Sequence, residues 1–559
     1  MSAIEYIDSG NAYLGRGDWP AARAAFERSI ALEPAPEAYE GLGQACWWLD
    51  QQDATIEARE AAYRLYRARG DARAAARVAA LVGIDHGEFR GDLAVANGWM
   101  QRADSLLRNL EPSPELGWLR LYQGFIATFY ENRLEAARTF AEEGASIARL
   151  VGSFDIEMMA TALNGLILIR EGHVDAGLKA LDEAMTAAVG GEMSDLAAIG
   201  NTCCALIYAC EAIADYDRAA QWCERTREFC RRMGMDLFMF DVCRNYYATV
   251  LIWRGAWDQA DAELTAAMRG LETRRPNDAI ESLVRLGELR RRQGRVAEAQ
   301  EMFARAEPHR RALFGQAALA LDRGDTETAI ELLQRVLRRA GAEDQAERVF
   351  TLELLARAHL QAGSIDEARG DLSQLEATVA HVGTQPLRAT ADAVRGAIAL
   401  AQGDASTARG HLEDAIDSFE ACEAHFDAAR ARLDYAQALE TLGRTAPAIE
   451  QAMTAQAVFR RLGAALYADR ATGIVARLSS SLGRPPSGAA LPHGLTSREA
   501  EVLWLIAAGK TNQDIADELV LSIRTVERHI TTVYEKLGLH GRSARAAAAA
   551  LAAGLRINT

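Results

Sequence analysis

Three groups of residues have the types and spacing that could carry chemistry. The segment 509–511, GKT, matches the end of a phosphate-binding loop, and six of the eight cysteines lie within 41 residues. A third group, Arg524, Glu527, Arg528 and Thr531, brings two cations, a carboxylate and a hydroxyl together within eight residues. These groups would suit nucleotide binding, metal or redox chemistry, and recognition of a polar partner, respectively.

The 509–511 segment does not complete a phosphate-binding loop. In the pattern GxxxxGK[ST] the first glycine would stand at Trp504, which lies inside a predicted helix and follows no predicted strand. No alternation of strands and helices occurs elsewhere that would present a phosphorylatable aspartate. We therefore predict neither a nucleotide-binding module nor a receiver domain.

The cysteine cluster favours buried thiols over a metal or redox site. No CxxC pair occurs, and five of the cysteines fall within one predicted helical hairpin, where small buried residues are expected: Cys203, Cys204, Cys210, Cys223 and Cys230. The ten histidines form no HExxH or HxH pattern. Local motifs also yield no nucleophile with a base and an orienting acid, although a triad assembled from distant positions would not show as a motif. We predict no metal, no cofactor and no enzymatic activity.

Three short predicted helices, each opened by a capping residue, position the third group. Thr496 is followed three residues later by Glu499, which is the spacing of a capping box, and Gly509 ends the first helix. Thr511 caps the second helix and Ser522 caps the third. Because so few residues separate the second and third helices, we expect these two helices to cross.

The third predicted helix has one apolar and one polar face. An apolar stripe at i, i+4, i+7 and i+11 faces the core, and it consists of Val526, Ile530, Val533 and Leu537. The opposite face carries Arg524, Glu527, Arg528 and Thr531. We interpret this polar face as the one that recognises a partner.

The stretch from 495 to 537 reads LTSREAEVLWLIAAGKTNQDIADELVLSIRTVERHITTVYEKL and resembles the LuxR-type (GerE) helix-turn-helix. The family pattern is close to LTxRExEVLxLIAxGxxNxxIAxxLxxSxxTVxxHxxxIxxKL, and Val533 stands where isoleucine is usual. The similarity continues through GLHGRSARAAAAALAAGL, which is similar to the family's fourth, dimer-forming helix. The resemblance covers residues 495–559.

The resemblance implies that residues 495–559 bind double-stranded DNA through Arg524, Thr525, Glu527, Arg528 and Thr531. Glu527, Arg528 and Thr531 occupy the family positions that face bases, whereas Arg524, nearer the helix start, is expected to contact phosphate. Glu527 departs from the basic residue that is frequent there, so its role is less defined than that of Arg528. His529 matches a family position that supports the recognition helix.

Charge is divided unevenly between the two parts of the chain. Of the net charge of −16, residues 495–559 contribute +1, from eight Lys and Arg against seven Asp and Glu. The remaining acidic residues would repel nucleic acid, and +1 is too little for strong binding by a single copy. We therefore expect a homodimer on DNA, formed through the helix of about residues 543–553, with the alternative that this helix only closes the small core.

Residues 1–478 resemble tetratricopeptide repeats. The first hairpin has Gly10, Tyr13, Ala22, Phe26 and Pro34 at the offsets of that pattern. Turn glycines recur at Gly17, Gly91, Gly172, Gly255, Gly294, Gly324, Gly363, Gly403 and Gly443, with weaker turns near Asp53, Asn132 and Ala214. They predict about twelve helical hairpins stacked into a superhelix with a concave face, and the short interval from Gly294 to Gly324 predicts an irregularity near 270–325.

The fold expected is all-α, with a tetratricopeptide-type solenoid over 1–478, a linker over 479–494 and a four-helix LuxR-type domain over 495–559. The linker holds three prolines and would span roughly 20–25 Å as a flexible coil, so the C-terminal domain could dock on the repeats or separate from them. Aromatic residues make up only 7% of the chain, which suits close-packed helices, and no apolar run approaches the roughly 18 residues of a membrane span. The N-terminal segment MSAIEYIDSG does not resemble a secretion signal, so we expect a soluble, cytoplasmic protein without a membrane contact.

Aromatic residues favour a ligand site on the concave face between residues 118 and 257. The positions that would line this face mix aromatic and polar side chains, and they are Trp118, Phe125, Phe129, Arg170, Asn201, Tyr208, Glu211, Asn245 and Trp253. Such a mixture suits a small organic effector or a short peptide, or a protein ligand of the repeats. The alternative is that these aromatics only pack helix against helix.

We interpret the chain as a DNA-binding transcription regulator in which a helical-repeat domain senses an effector and controls the C-terminal domain. The alternative is a tetratricopeptide interaction scaffold whose C-terminal domain does not bind DNA. A gel shift with the DNA upstream of the chain's own gene would separate the two.

Overall fold

The structure is a computed structural model that describes residues 1–129, 131, 133–233, 241–274, 276–307, 309–339, 345–481, 495–519, 521–541 and 544–555. The described residues form helices joined by short turns, and no strand occurs among them. The all-α prediction is confirmed.

The described residues between 3 and 481 form a succession of helices. The helices are α1 (Ala3–Leu14), α2 (Trp19–Leu32), α3 (Pro36–Trp48), α4 (Gln52–Arg69), α5 (Ala72–Asp85), α6 (Leu93–Leu107), α7 (Pro114–Phe129), α8 (Leu134–Val151), α9 (Phe154–Arg170), α10 (Val174–Gly190), α11 (Leu196–Ala212), α12 (Tyr216–Met233), α13 (Asp241–Trp253), α14 (Trp257–Arg274), α15 (Pro276–Arg292), α16 (Val296–Arg305), α17 (Arg310–Asp322), α18 (Thr326–Arg339), α19 (Gln345–Gln361), α20 (Ile365–Val382), α21 (Gln385–Ala401), α22 (Ala405–Ala421), α23 (His425–Thr441), α24 (Thr445–Leu462) and α25 (Ala465–Ser481). A five-residue π-helical turn, His86–Arg90, follows α5.

Each odd-numbered helix packs against the even-numbered helix that follows it, from α1 with α2 to α23 with α24, and α25 packs on α24. The nine turn glycines named above all have positive φ, between 68° and 89°, a conformation that costs glycine little. Of the weaker turns, one lies at Asp50 and one at Ala214, both with positive φ, and Asn132 lies outside the described residues.

Small residues allow the paired helices to approach closely around buried phenylalanines. The Phe26 ring is fully buried, and a Cβ added at Gly10 would lie 2.6 Å from its Cε1 atom. The same arrangement recurs in α15–α16, where a Cβ at Gly287 would lie 2.7 Å from Cε1 of Phe303. A small residue of one helix therefore accommodates a large residue of the next.

The solenoid curves until distant helices meet, which the sequence did not predict. Trp253 Nε1 of α13 donates to the Cys422 carbonyl oxygen (3.0 Å) just beyond α22. Thr384 Oγ1 donates to the Ile213 carbonyl oxygen (2.7 Å), and an Arg291 Nη1 atom of α15 donates to the Tyr467 hydroxyl of α25 (3.2 Å). These contacts enclose a cavity of about 910 Å³ on the concave side.

The region expected to be irregular contains the shortest helix among α1–α25. Helix α16 has ten residues, against 13 in the α17 helix that follows. Pro308, which lies between the two helices, is outside the described residues.

The C-terminal domain, which we call the head (residues 495–555 as described), has four helices. They are α26 (Ser497–Ala507), α27 (Asn512–Leu519), α28 (Ile523–Lys536) and α29 (Ala544–Leu555). Helix α25 ends at Ser481, three residues beyond the predicted end of the solenoid at residue 478, and residues 482–494 lie outside the described residues. The predicted core of the head forms one cluster, which includes Val502, Leu503, Ile506, Ile515, Ala516, Leu519, Val526, Ile530 and Val533.

The cysteines behave as structural side chains. All seven whose side chains are described are free thiols, and all but Cys204 are buried. Burial raises the pKa of Cys203 to about 12, so this thiol stays protonated and unreactive. Within the described ranges, no group of His, Cys, Asp and Glu side chains is placed to hold a metal ion, and no helix has the length and apolar character needed to cross a membrane.

Candidate nucleic-acid interface

The head is built on the three caps that its sequence predicts. The Thr496 amide donates to Glu499 Oε2 (2.7 Å), and the Glu499 amide donates to Thr496 Oγ1 (3.3 Å), which completes the capping box of α26. The Thr525 amide donates to Ser522 Oγ (3.1 Å) at the start of α28. These bonds satisfy the free amides at the helix starts and fix where α26 and α28 begin.

Helix α28 separates the predicted core stripe from the predicted polar face. Val526, Ile530 and Val533 are buried, whereas Arg524, Glu527 and Thr531 are exposed. Of the other two predicted DNA-contacting residues, Arg528 is 37% exposed and Thr525 only 3% exposed. The structure therefore leaves three of the five residues open to solvent and covers the other two in part or wholly.

Two contacts of charged side chains inside the head were not foreseen from the sequence. The guanidinium of Arg498, which is 5% exposed, donates to the Leu519 carbonyl oxygen (2.9 Å) and ties α26 to the end of α27. Lys536 Nζ donates to both Glu499 carboxylate oxygens (2.7 and 2.8 Å), which joins α28 to α26. The signal for the first contact was the arginine in the LTxRE part of the family pattern.

His529 lies beside Arg528 on the same flank of α28. Its burial, together with the nearby charges of Arg528, Arg498 and Arg432, lowers the pKa of His529 to about 4. The imidazole is therefore neutral at neutral pH and supports α28 without adding charge to it.

The head is docked on the repeat domain through α28. One Arg528 Nη1 atom donates to Asp417 Oδ1 (2.6 Å) and to Glu420 Oε2 (2.7 Å), and both carboxylates belong to α22. At the start of α28, the Ser522 amide donates to Glu413 Oε2 of the same helix (3.4 Å). A residue that the family resemblance assigns to bases is thus held by two carboxylates of the repeats.

The cleft between the head and the repeats is narrow. It is lined on the repeat side by α22, by Arg432, Tyr435 and Leu439 of α23, and by Glu450 of α24. Its free volume is about 20 Å³, which leaves room for roughly one water molecule. Burial raises the pKa of Glu413 and of Asp417, and it raises that of Glu450 to about 6, so these carboxylates are costly to keep charged in the docked state.

Helix α29 has one buried face and one exposed face. Ala548 and Ala552 are fully buried in the core of the head, whereas Leu551 is 40% exposed. Arg545 Nη1 donates to Asn512 Oδ1 (2.8 Å) and holds α29 against α27. The helix therefore closes the core and also leaves a large apolar side chain on the surface.

The predicted effector residues separate into two groups. The first is an aromatic row across α7, α11 and α13: Phe125 stacks on Phe129, whose centroid lies 5.2 Å from that of Tyr208, which in turn lies 6.0 Å from Tyr246. Phe129 is 40% exposed. Trp118 stacks on Tyr122, with 5.9 Å between their ring centroids. These side chains form an aromatic surface, which we call the aromatic row.

The second group consists mostly of polar residues, several of which have partners within the protein. Asn245 is 1% exposed and accepts a hydrogen bond from Ser282 Oγ (2.7 Å), and Glu211 accepts from both Arg285 (2.9 Å) and Arg311 (2.8 Å). Arg170 donates to the Thr128 carbonyl oxygen, and Asn201 is exposed. Trp253 is 7% exposed and lines the large cavity instead of the aromatic row.

The large cavity, which we call the central cavity, was not foreseen from the sequence. Its aromatic lining consists of Tyr216, Trp253, Phe314, Phe350, Phe419 and Tyr467. Its charged lining is balanced, with five arginines and five carboxylates: Arg291, Arg292, Arg357, Arg430, Arg470, Glu288, Asp322, Glu353, Asp427 and Asp434. The cavity forms where α13 contacts the end of α22 and α15 contacts α25. No local sequence pattern predicts contacts between helices so far apart in the chain.

Ion pairs hold the charged lining in place. Arg291 pairs with Glu288 (2.8 Å) and Asp322 (2.7 Å), and Arg430 pairs with Glu353 (2.9 Å). Burial alone would raise the pKa of Glu288, but Arg291 and Arg292 lower it to about 2. Glu288 therefore stays charged across the physiological pH range.

Comparison with family models identifies both parts of the chain. The model for bacterial regulatory proteins of the luxR family matches residues 493–549. A tetratricopeptide-repeat model matches residues 7–73, 284–344 and 353–421.

Curated relatives are similar over short stretches of the chain. The chain is 53% identical over 55 residues to the transcriptional regulatory protein LiaR of Bacillus subtilis, covering 10% of this chain and 26% of LiaR. It is 49% identical over 49 residues to the spore germination protein GerE of Bacillus subtilis, covering 9% of this chain and 66% of GerE. It is 42% identical over 80 residues to the putative HTH-type transcriptional regulator Rv0890c of Mycobacterium tuberculosis, covering 14% of this chain and 9% of that protein. The match thus spans a quarter of LiaR and less than a tenth of Rv0890c.

Among solved structures, the chain is similar to one in the crystal structure of the APC/C hetero-tetramer Cut9-Hcn1, with a TM-score of 0.42 and 15% identity over 88% of this chain and 95% of that chain. The family matches, the capped helices and the stacked hairpins agree with one another. The chain carries a LuxR-type (GerE) helix-turn-helix domain at its C-terminal end and tetratricopeptide repeats before it, and its relatives are LuxR-family regulators.

Proposed function

We propose that the chain is a DNA-binding transcription regulator whose helical-repeat domain senses an effector and controls the head. The observation that carries the proposal is the polar face of α28, which stands on a capped, well-packed helix in a domain of the luxR family. In helix-turn-helix proteins this helix enters the major groove of DNA.

The base contacts would come from Glu527, Arg528 and Thr531. An arginine can bond both O6 and N7 of guanine, and a glutamate can accept a hydrogen bond from N4 of cytosine, so we expect half-sites that contain G·C pairs. Each good contact of this kind discriminates against a wrong base by about 1–3 kcal/mol. Arg524 is exposed near the start of α28 and would contact phosphate. Thr525 is buried beside α22 and would reach DNA only after the head separates from the repeats.

A homodimer would place two heads on one palindromic site. Leu551 supports this proposal because it is a large apolar side chain that is 40% exposed on α29, among small alanines that allow a second backbone to approach. A two-fold pair of heads would match the symmetry of a palindrome and double the number of cations that contact phosphate.

The effector would bind on the concave side of the repeats. The aromatic row offers an exposed apolar surface at Phe129, and the central cavity adds about 910 Å³ lined by aromatic and ionic side chains, within the size range of ligand pockets. Both suit a small organic molecule or a short peptide that carries an apolar body and polar ends. Asn245 and Glu211 support the walls of this region, since both are engaged with protein partners.

The central cavity and the head share two helices. Phe419 of α22 and Arg430 and Asp434 of α23 line the cavity, whereas Asp417 of α22 and Arg432 of α23 face the head. A ligand that moved α23 would therefore change the surface on which the head is docked. This arrangement supports control of the head by the repeats.

A gel shift with the DNA upstream of the chain's own gene tests the proposal. The full chain should retard this duplex more strongly than a scrambled duplex of equal composition, and Arg528→Ala should remove the preference. If neither the full chain nor an Asp417→Asn variant retarded any duplex at low salt, the interaction scaffold would be the better description.

A further inference from the structure

Three carboxylates of α22 point toward the head. Glu413, Asp417 and Glu420 are spaced i, i+4 and i+7 and therefore share one face of the helix, with about 10 Å between the first and the last. We call this face the acidic stripe. All three contact α28 of the head, and no other described segment of the repeats contributes an acid that bonds to α28.

Each carboxylate accepts a hydrogen bond from a group of the head that DNA would also contact. Glu413 accepts from the Ser522 amide at the N-terminal end of α28, where a helix commonly binds a phosphate. Asp417 and Glu420 share Arg528, the residue proposed to bond guanine. Arg524 is close enough to Asp417 to favour its charged form. The acidic stripe thus offers anionic oxygens to a surface suited to anionic DNA.

We propose that the acidic stripe is a binding surface for α28 that stands in for DNA, so that the head holds either the repeats or DNA but not both. This inference rests on the proposed DNA-binding function and adds the regulation of that site. The partner of the acidic stripe is the chain's own head.

Exclusion follows from the geometry of the contact. Arg528 Nη1 donates to two carboxylates of α22, so the guanidinium is held against the repeats and not presented on the open face of α28. The flank formed by Thr525, Arg528 and His529 faces α22 and α23, although Glu527 and Thr531 are exposed. Because a recognition helix must enter a major groove only about 12 Å wide, helices packed along one flank would collide with the groove wall.

The contact is also suited to release. Arg528 and Glu420 are each 37% exposed, and exposed ion pairs stabilise weakly and are screened by salt. Burial disfavours the charged forms of Glu413 and Asp417, which offsets part of their attraction to the head. A modest binding free energy, from an effector or from DNA, could therefore shift the equilibrium between the docked and the separated head.

A charge reversal at Asp417 tests the proposal in the full chain. Asp417→Arg would face Arg528 with a like charge. Asp414→Arg makes the same change of net charge at an exposed residue of the same helix that does not line the cleft to the head. Small-angle X-ray scattering without DNA reports separation of the head, and anisotropy of a labelled duplex from the upstream region reports DNA affinity. Asp417→Asn serves as a milder variant if the reversal disturbs folding.

We expect Asp417→Arg to extend the particle by up to roughly 20 Å, the span of a flexible linker, and to tighten DNA binding about tenfold, because the open fraction limits the apparent affinity. Asp414→Arg should leave the dimension of the particle unchanged and should change the affinity for DNA only slightly. Equal gains in affinity for the two variants, or a dimension that neither Asp417 variant changes, would overturn the proposal. If Asp417→Arg extended the particle but no variant bound DNA, the result would support the docking surface and refute the proposed DNA-binding function.

Discussion

Arg528 has two sets of partners available to it, carboxylates in the docked state and a base in the DNA complex. The guanidinium suits both, because its planar fork can bond a carboxylate or the paired acceptors of guanine. A lysine could keep the ionic attraction to Asp417 and Glu420 but, as a point charge without the planar fork, would hold the paired acceptors of guanine less firmly. Arg528→Lys therefore keeps the positive charge and changes the geometry of the hydrogen bonds.

For Arg528→Lys, we predict a loss of sequence preference with retention of docking. The discrimination between the upstream duplex and a scrambled duplex should fall by about 1–3 kcal/mol, whereas nonspecific binding at low salt should change little. Anisotropy titrations with the two duplexes measure this difference. Retained preference in Arg528→Lys, together with retained preference in Arg528→Ala, would assign base recognition to other residues.

Gly287 shows how closely the repeat hairpins are packed. A Cβ at this position would lie 2.7 Å from Phe303, whose ring is fully buried between α15 and α17. We predict that Gly287→Ala lowers the free energy of unfolding by about 1–3 kcal/mol, the usual cost of overpacking a core.

Gly370→Ala is the matched control for that prediction. Gly370 also lies within a helix, α20, but it is exposed and an added Cβ would meet nothing within 4 Å. Replacing this glycine should stabilise the protein by about 0.5–1 kcal/mol, because alanine loses less backbone entropy. Thermal unfolding of both variants measures the contrast, and equal effects of the two would contradict the packing described for α15 and α16.

Among the elements, the head could be predicted from sequence far better than its position. The caps at Thr496, Thr511 and Ser522 and the core stripe of α28 follow from residues within four positions of one another, so local patterns were sufficient. By contrast, Asp417 lies 111 residues before Arg528. An ion pair of that separation leaves no periodic trace in a single sequence, and the docked state was predicted only as one of two options.

The concave surface shows the same limit at the level of the solenoid. Turn glycines predicted the hairpins, because each glycine adopts a positive φ that the local chain demands. The curvature that brings Trp253 to Cys422 accumulates from small rotations over many repeats, and it placed Trp253 in a cavity with residues up to 470. The sequence-based ligand region, 118–257, therefore contained the aromatic row and only the edge of the central cavity.

Tryptophan fluorescence can assign the effector to one of these two surfaces. If a compound that alters DNA binding occupies the central cavity, the change in emission that it causes should be lost in Trp253→Phe and kept in Trp118→Phe. Occupation of the aromatic row predicts the reverse, because Trp118 belongs to that surface and Trp253 lines the cavity. An emission change that persists in both variants would place the ligand elsewhere.

Helix α29 is the element through which we propose that two heads dimerise. Leu551→Arg puts a charge where two heads would meet, and the exposure of this side chain means that the fold of the head should tolerate it. We predict that the variant binds DNA as a monomer, with weaker affinity than the parent, in sedimentation of the complex with a palindromic duplex. Leu551→Ala, which keeps a smooth surface, is the control. An unchanged stoichiometry for Leu551→Arg would mean that α29 only closes the core.

At the scale of the whole molecule, the uneven distribution of charge favours docking of the head on the repeats. Residues 495–559 carry +1, and the rest of the chain is strongly acidic. An acidic repeat domain attracts Arg528 of α28 and repels DNA, so both effects favour the docked state until an effector or a specific operator competes. Higher salt should weaken the docking and the DNA contact together, so selectivity should be compared at fixed ionic strength.

The central claim is that α28 holds either the acidic stripe or DNA, and energy transfer within the full chain tests it most directly. A fluorophore pair at Asp414 and Glu535, both exposed, would report the separation of α22 from α28 while the anisotropy of the duplex reports binding. We predict that energy transfer falls in proportion to the fraction of protein bound to the upstream duplex and is already low in Asp417→Arg. Full DNA binding with unchanged energy transfer would contradict the account.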